Sequence, residues 1–191
     1  SKVALSHFSG GWQHLSYEQV FEQAKARGLM LVQSGHQPGD RVATLSGNCL
    51  ELPIHLFGST LAGLVNVPLD PKSSAAELLS ILKHVGARTL VVSPEYESVA
   101  FSLQAEAGVE KVLRLETPRP IFPAVFESRE RAPAETTAIY YTSGTLGVSK
   151  GVMVSLGALL FEISTLASLQ ENNDRDVIFS ILPLNHLYGL T

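Results

Sequence analysis

The segment that decides the fold reads LAGLVNVPLDP and runs from Leu61 to Pro71. Gly63 interrupts a helical pattern, and the apolar run Val65 to Val67 then predicts a buried strand, which stops at Pro68 because proline cannot donate to a strand ladder. The wider stretch 52–69 contains no charged residue. Its prolines and polar side chains favour a buried helix followed by a strand over a membrane span.

Helices and strands alternate along the chain on both sides of this segment. Ser16 and Gln19 have the spacing of a capping box, Asn48 and Ser74 are further candidate helix N-caps, and Gly86 is a candidate C-cap. Apolar strands that alternate with helices are typical of an α/β fold with a mainly parallel sheet and helices on both faces. The predicted helices lie near 17–34, 49–62, 75–85, 95–106 and 156–169, and the predicted strands near 42–46, 65–67, 89–92, 111–115, 138–142, 151–154 and 177–182.

A segment rich in proline and charge interrupts this alternation. Four prolines and three arginines fall between residues 117 and 136, a composition that predicts a crossing segment without regular secondary structure. We therefore expect a first α/β subdomain over 1–116, the crossing segment over 117–136, and the start of a second α/β subdomain over 137–191.

Composition narrows the classes of protein that this chain can be. Its 191 residues are 45% apolar and 17% charged, with a formal net charge of −4, which excludes a disordered tail and argues against a nucleic-acid groove. The single cysteine, Cys49, excludes a disulfide scaffold and a cysteine-based zinc site. No apolar leader opens the sequence, so we expect a cytoplasmic protein without a transmembrane segment.

The stretch most informative about function reads YYTSGTLGVSKG, from Tyr140 to Gly151. It places three hydroxyls between Thr142 and Thr145, three glycines and Lys150 in a turn that follows a strand. A glycine backbone can approach a ligand closely, and its N–H groups can form an anion-binding nest. Because Lys150 adds a mobile positive charge that suits a phosphate, the stretch predicts a polyphosphate cradle.

Two other interpretations fit this stretch less well. A mononucleotide P-loop needs glycine before the lysine and Ser or Thr after it, whereas Ser149 and Gly151 occupy those positions and a strand follows. A plain hairpin turn explains the glycines but not the hydroxyls and the lysine crowded among them.

The residues from Tyr141 to Val152 resemble the signature Tyr-Thr-Ser-Gly-Thr/Ser-Thr-Gly-x-Pro-Lys-Gly-Val of the adenylate-forming (AMP-binding) superfamily. This superfamily comprises acyl- and aryl-CoA synthetases, adenylation domains of nonribosomal peptide synthetases, and luciferases. Leu146 and Ser149 depart from the signature, which has Thr and Pro there. The resemblance implies that the loop enfolds the β,γ-phosphates of ATP with Mg²⁺, that Thr145 contacts the metal, and that Lys150 is catalytic. The nucleotide-binding residues it implies are Thr142, Ser143, Gly144, Thr145, Gly147 and Lys150.

Two further segments resemble motifs of the same superfamily, in the same order. Residues 61–71 resemble its Ala-Gly-x-x-x-Val-Pro-Leu-Asp-Pro motif, which implies a scaffold role. Residues 182–190, LPLNHLYGL, resemble Leu-Pro-Leu-Phe-His-x-x-Gly-Leu, which implies that His186 lies beside the carboxylate substrate as a second catalytic residue. Asn185 replaces the aromatic that helps to gate the acyl pocket. Judged without the motif, His186 fits a hydrogen-bonded structural histidine better than a catalytic one.

The resemblance implies a two-step reaction. A carboxylate attacks the α-phosphorus of ATP and releases pyrophosphate, and the resulting acyl-adenylate then passes to a thiol. Leucines 184, 187 and 190 around His186 favour a fatty acyl substrate, and hence an acyl-CoA synthetase that uses ATP, Mg²⁺ and coenzyme A. The alternatives are a fatty acyl-AMP ligase or an amino-acid adenylation domain, which pass the acyl group to the pantetheine of a carrier protein, and a catalytically silent nucleotide-binding relative.

Further expectations concern the extent of the chain and its other notable side chains. Motifs that the superfamily places later are absent before Thr191, so we expect the N-terminal portion of the enzyme fold, as a fragment that is inactive alone. Trp12 and Tyr17 are expected to pack the first helix against the sheet, and Cys49 to be an inert small residue. The remaining histidines lack ligand spacing and are expected to be surface or packing residues: His7, His14, His36, His55 and His84.

Overall fold

Helices cover both faces of a central sheet in the computed structural model, which describes residues 2–115, 128–142, 149–169 and 176–186. A separate two-stranded hairpin precedes the sheet. The strands are β1 Val3–Phe8, β2 Trp12–Ser16, β3 Arg41–Leu45, β4 Val65–Leu69, β5 Thr89–Val92, β6 Lys111–Arg114, β7 Thr136–Thr142 and β8 Lys150–Ser155. The helices are α1 Tyr17–Gln33, α2 Glu51–Leu61, α3 Ala75–Val85, α4 Glu97–Ala107 and α5 Leu156–Leu169.

The main sheet has the strand order β6-β5-β3-β4-β7-β8 among the described residues. Its first five strands in that order run parallel, and β8 pairs antiparallel with β7 at the edge. The prediction of a mainly parallel sheet in an α/β fold is therefore confirmed. Because the connection from β3 to β4 and the connection from β4 to β5 run in opposite directions across the sheet, right-handed crossovers place their helices on opposite faces.

Two apolar clusters bear out this placement of the helices. On one face α3 and α4 pack against side chains such as Ala43 and Leu90, and on the other α1 and α2 pack against Val42 and Val91. Neighbouring residues of one strand thus point to opposite clusters, as the pleat of a strand requires. Burial of both faces explains why the central strands are mainly apolar.

Two of the three predicted N-caps are confirmed, and the third is wrong. The amide of Gln19 donates to Ser16 Oγ (3.2 Å) while Ser16 N donates to Gln19 Oε1 (2.8 Å), so the capping box begins α1. Ser74 Oγ accepts from the amide of Glu77 at the start of α3. Asn48 does not cap α2, whose N-cap residue is Leu50 without a side-chain hydrogen bond, because the Asn48 side chain binds a distant segment instead.

The expected packing of Trp12 and Tyr17 against the sheet is also wrong. Both side chains are exposed, at 65% and 62% of their surface. Trp12 belongs to the hairpin formed by β1 and β2, where its ring stacks on His14 at 6.0 Å and meets the edge of Phe8 at 5.5 Å. Trp12 therefore contacts Phe8 and His14 of its own hairpin instead of the sheet.

The predicted strand over Val177–Leu182 is absent, since no strand lies within the described residues 176–186. Side chains of this run are exposed, with Phe179 at 83%. A short apolar run specifies a strand only where a neighbouring strand offers backbone partners. Here the run is held by a side chain, Asn48, which hydrogen-bonds to Leu182.

The crossing segment returns the chain to the same sheet. Its described residues 128–135 form no helix or strand, and the side chain of Arg131 donates to the carbonyl oxygens of Leu64 (3.2 Å) and Thr136 (2.7 Å). Strand β7 then pairs with β4. The division into subdomains over 1–116 and 137–191 stays a prediction. Within the described ranges, no helix combines the length and the apolar character needed to cross a membrane.

Candidate functional site

Thr142 and Lys150 lie opposite each other where β7 ends and β8 begins. The antiparallel register pairs Thr142 with Lys150 and Tyr141 with Gly151, and the side chains of Thr142 and Lys150 are exposed. The other predicted phosphate-binding residues, Ser143, Gly144, Thr145 and Gly147, lie outside the described residues. The two ends of the predicted cradle are thus adjacent in space.

A cavity of about 400 Å³ opens beside Thr142, at the carboxyl ends of β4 and β7. Asp70 and Lys72 line it from the segment after β4, Glu77 lines it from the first turn of α3, and His186 closes another side. Ligands of open α/β sheets bind in the crevice outside the carboxyl ends of the strands. The structure therefore brings two residues predicted from separate motifs, Thr142 and His186, to one cavity in the expected place.

Helix α3 makes hydrogen bonds to strand β7 and to Ser149, the residue directly before β8. Ser149 Oγ donates to Glu77 Oε1 at 2.9 Å, and the hydroxyl of Tyr141 is hydrogen-bonded to His84 Nδ1 at 2.8 Å. Partial burial raises the pKa of Tyr141. Gly151 lets the Tyr141 ring lie close to β8, because a methyl group there would stand 3.3 Å from the ring carbon Cζ.

Asn48 fixes the segment that carries His186. Its side-chain amide donates to the carbonyl oxygen of Leu182, and its carbonyl accepts from the amide of Leu184, both at 2.9 Å. His186 N donates to Pro183 O at 3.1 Å in the turn that follows. A second cavity of about 250 Å³ lies on the side of His186 near β3, lined by residues that include Tyr96 and Ile181. His186 is exposed between the two cavities.

Two carboxylates, those of Asp70 and Glu77, line the larger cavity, and each accepts a hydrogen bond within the chain. Asp70 Oδ1 accepts from the amide of Lys72, Glu77 accepts from Ser149, and the described residues contain no group of three or more metal-ligating side chains. Mg²⁺ typically keeps several waters and binds through one or two protein groups plus substrate phosphates. Thr145, the predicted metal contact, lies outside the described residues.

Two titratable side chains that line neither cavity are wholly or partly buried. Burial raises the pKa of Cys49, which favours the protonated thiol. His55 is fully buried beside Thr44 Oγ1, and burial together with the nearby Arg27 lowers its pKa to about 3.

Four residues at or beside the cavities were not predicted to belong to the site: Asn48, Lys72, Glu77 and His84. Their positions carried a partial signal. Asn48 and Lys72 follow the carboxyl ends of neighbouring parallel strands, which meet at one edge of the sheet. Glu77 and His84 stand seven residues apart on α3 and therefore share a face.

The chain is similar to known proteins in both sequence and structure. A family model described as "AMP-binding enzyme" matches residues 1–191. The chain is 27% identical to naringenin synthase of Pestalotiopsis fici over 99% of its length, and 26% identical to a long-chain-fatty-acid–CoA ligase of Yersinia pestis over 93%. It spans only 8% and 39% of those proteins. The crystal structure of ATP-bound MatB from Rhodopseudomonas palustris superposes with a TM-score of 0.85 and 28% identity, over 99% of this chain and 39% of that one.

Proposed function

The chain belongs to the family of AMP-binding enzymes, and on that premise we propose that the protein containing it is an ATP-dependent acyl-CoA synthetase. Such an enzyme joins a fatty acid to AMP with release of pyrophosphate, and then transfers the acyl group to the thiol of coenzyme A. One observation carries the proposal: Thr142, paired with Lys150 across the hairpin, lines a cavity at the carboxyl edge of the sheet together with His186.

Lys150 and the hydroxyl groups beside it have the chemistry to hold a triphosphate. The cationic side chain of Lys150 would bind the β,γ-phosphates and oppose the charge that grows on pyrophosphate as it leaves. Thr142, Ser143 and Thr145 would supply hydroxyl donors, and Gly144 and Gly147 backbone amides. When bound, Mg²⁺ would neutralise phosphate charge and be contacted by Thr145. Exposure of Lys150 in the described structure is consistent with a side chain that meets a ligand from solution.

His186 is suited to orient the carboxylate substrate. It lines the larger cavity together with Thr142 and also lines the smaller cavity. A substrate carboxylate bound next to His186 would therefore be close to the phosphates of ATP in the larger cavity. Ile181 and Tyr96 give part of the smaller cavity an apolar wall that would accept an acyl chain, while the charged side chains of Asp70 and Lys72 line another part of it. Asn185, which replaces the aromatic of the family motif, is buried and would leave more room beside the substrate.

Transfer to a carrier protein is the second candidate for the final step. The chain spans 8% of naringenin synthase, so the matched unit there is part of a far longer polypeptide. A thiol tethered in the same polypeptide has a high effective concentration. In this alternative the adenylation step is unchanged, and only the acceptor thiol differs.

Carboxylate-dependent exchange of labelled pyrophosphate into ATP, measured on the full-length protein, tests the proposal. Fatty acids should support exchange, and Lys150→Ala should lower it by about 10- to 150-fold, since a hydrogen bond to a charged group contributes about 1.5–3 kcal/mol. Lys83→Ala is a matched control, because Lys83 forms an exposed ion pair with Glu106 on the surface. Exchange without any dependence on a carboxylate, or an unaffected Lys150→Ala variant, would contradict the proposal.

The same preparation of full-length protein also shows which thiol accepts the acyl group and whether the protein is catalytically silent. Acyl-CoA formation supports the synthetase, and acyl transfer to a pantetheine-bearing carrier alone supports the second candidate. ATP binding without exchange for any carboxylic acid would identify a catalytically silent relative. The chain of residues 1–191, which spans 39% of the matched ligase, is expected to form no acyl-adenylate alone.

A further inference from the structure

A side chain of helix α3, Glu77, is hydrogen-bonded to Ser149, the residue of the predicted cradle that directly precedes Lys150. Ser149 Oγ donates to Glu77 Oε1 at 2.9 Å, across 72 residues of sequence, and both side chains are half-buried. Hydrogen bonds to a carboxylate are stronger than those between neutral groups. Partial burial also limits competition from water, so this bond can constrain the backbone that enters β8.

The acceptor belongs to a rigid element. The backbone amide of Glu77 donates to the N-cap side chain Ser74, which fixes the first turn of α3. Two turns further on, His84 is bonded to Tyr141 at the end of β7. One face of α3 therefore contacts β7 and the residue directly before β8.

Ser149 stands where the family signature has proline, and the two residues constrain the chain differently. Proline fixes φ through its ring, whereas serine leaves φ free and brings a hydroxyl donor. In this chain that donor has a carboxylate acceptor at 2.9 Å. The hydrogen bond between Ser149 and Glu77 thus restricts the backbone at residue 149, as the ring of a proline would.

We propose that Glu77 and Ser149 form a positioning pair that fixes the start of β8 and thereby holds Lys150 opposite Thr142 for phosphate binding. The inference rests on the proposed function of this site. Neither side chain is required to touch the reacting atoms. Lysine has a long flexible stem, so an ordered backbone beneath it lowers the entropic cost of bringing its charge to a phosphate.

Steady-state kinetics of pyrophosphate exchange in the full-length protein test the pair. Ser149→Ala and Glu77→Ala should each raise the KM for ATP about three- to tenfold, with the KM for the carboxylic acid unchanged. The double variant should be no worse than either single variant, because both remove the same bond. Ser80→Ala, which alters an exposed serine of the same helix, is the control and should leave both constants unchanged.

Two conservative substitutions separate positioning from other roles. Glu77→Gln keeps an acceptor oxygen but removes the charge that strengthens the bond, so its KM for ATP should lie between those of the wild type and Glu77→Ala; a KM above that of Glu77→Ala would overturn the pair. Ser149→Pro, unlike Ser149→Ala, should have a KM for ATP close to that of the wild type. Glu77→Ala added to Ser149→Pro should leave this KM unchanged.

Hydrogen exchange of backbone amides in the nucleotide-free protein gives a readout that does not depend on activity. Amides at the start of β8 should exchange faster in Ser149→Ala and Glu77→Ala than in the wild type, and at the wild-type rate in Ser80→Ala. An inactive wild type would refute the proposed function while leaving this comparison valid. An active wild type with unchanged KM and unchanged exchange in both alanine variants would overturn the positioning pair.

Discussion

Replacement of Gly58 by alanine tests how closely α1 and α2 approach each other. Gly58 is buried within α2, and a methyl group there would lie 2.6 Å from the carbonyl oxygen of Ala24 and 2.8 Å from Cβ of Arg27. These atoms belong to the backbone and the root of a side chain in α1, so rotamer changes cannot relieve the contact. The two helices would have to separate by about 0.8 Å to reach an ordinary carbon–oxygen distance.

The expected loss of stability follows from two opposing effects. Overpacking of a core costs about 1–3 kcal/mol, and the rigid neighbours of Gly58 place this site near the upper value. Alanine in a helix gains about 1 kcal/mol over glycine. The free energy of unfolding should therefore fall by about 2 kcal/mol, which lowers the melting temperature by about 4–8 °C in a folding unit of this size.

Differential scanning calorimetry of the purified protein measures this change. Gly11→Ala is the matched control, since a methyl there meets no atom within 4 Å and should shift the melting temperature by no more than about 1–2 °C. A Gly58→Ala protein that melts with the wild type, or above it, would refute the close packing of α1 on α2.

Three further predictions concern the site and the core. Gly151→Ala should raise the KM for ATP about two- to fivefold, as measured by pyrophosphate exchange, because its methyl group would stand 3.1 Å from Ile139 Cγ2 and 3.3 Å from the Tyr141 ring, so that β7 must shift slightly to accept it. His55 has a native pKa of about 3 against about 6.5 when unfolded, so the unfolded state takes up the proton first as pH falls. The stability it contributes is present above pH 6.5 and is lost towards pH 3, by about 2 kcal/mol at pH 5; urea unfolding at pH 7 and pH 5 should show a smaller difference in His55→Gln than in the wild type. Asn48→Ala should accelerate hydrogen exchange at the amide of Leu184, whose bond to Asn48 is 2.9 Å long, and an unchanged rate would refute the anchoring role of Asn48.

Local signals in the sequence predicted most of the fold. Ser16 and Ser74 begin helices because their partners, Gln19 and Glu77, are only three residues away. The parallel strands were predictable because burial on both faces demands continuous apolar runs. Each of these outcomes depends on residues close together in sequence or on composition alone.

The errors arose where distant partners decided the outcome. Asn48 has the side chain of a helix cap, yet its bonds go to Leu182 and Leu184, more than 130 residues away. The apolar run at 177–182 has the composition of a strand but no strand partner among the described residues. Trp12 is an exception, because its partners Phe8 and His14 are close in sequence. They belong to a hairpin that was not predicted, although Gly10 and Gly11 lie at its turn.

The same distinction applies to the site. The signature around Thr142 and Lys150 is contiguous, so the sequence predicts that they meet, and the strand register agrees. The approach of His186 to this edge was predicted only through the family motif. The bond between Glu77 and Ser149 spans two elements that no pattern in a single sequence connects.

A crystal structure of the full-length protein with Mg²⁺ and ATP would show where the triphosphate binds. We expect the β- and γ-phosphates at the carboxyl ends of β4 and β7, with Lys150 Nζ about 2.7–2.9 Å from a phosphate oxygen and the Thr142 side chain beside them. A nucleotide bound elsewhere on the protein, with Lys150 still in solvent, would contradict this expectation.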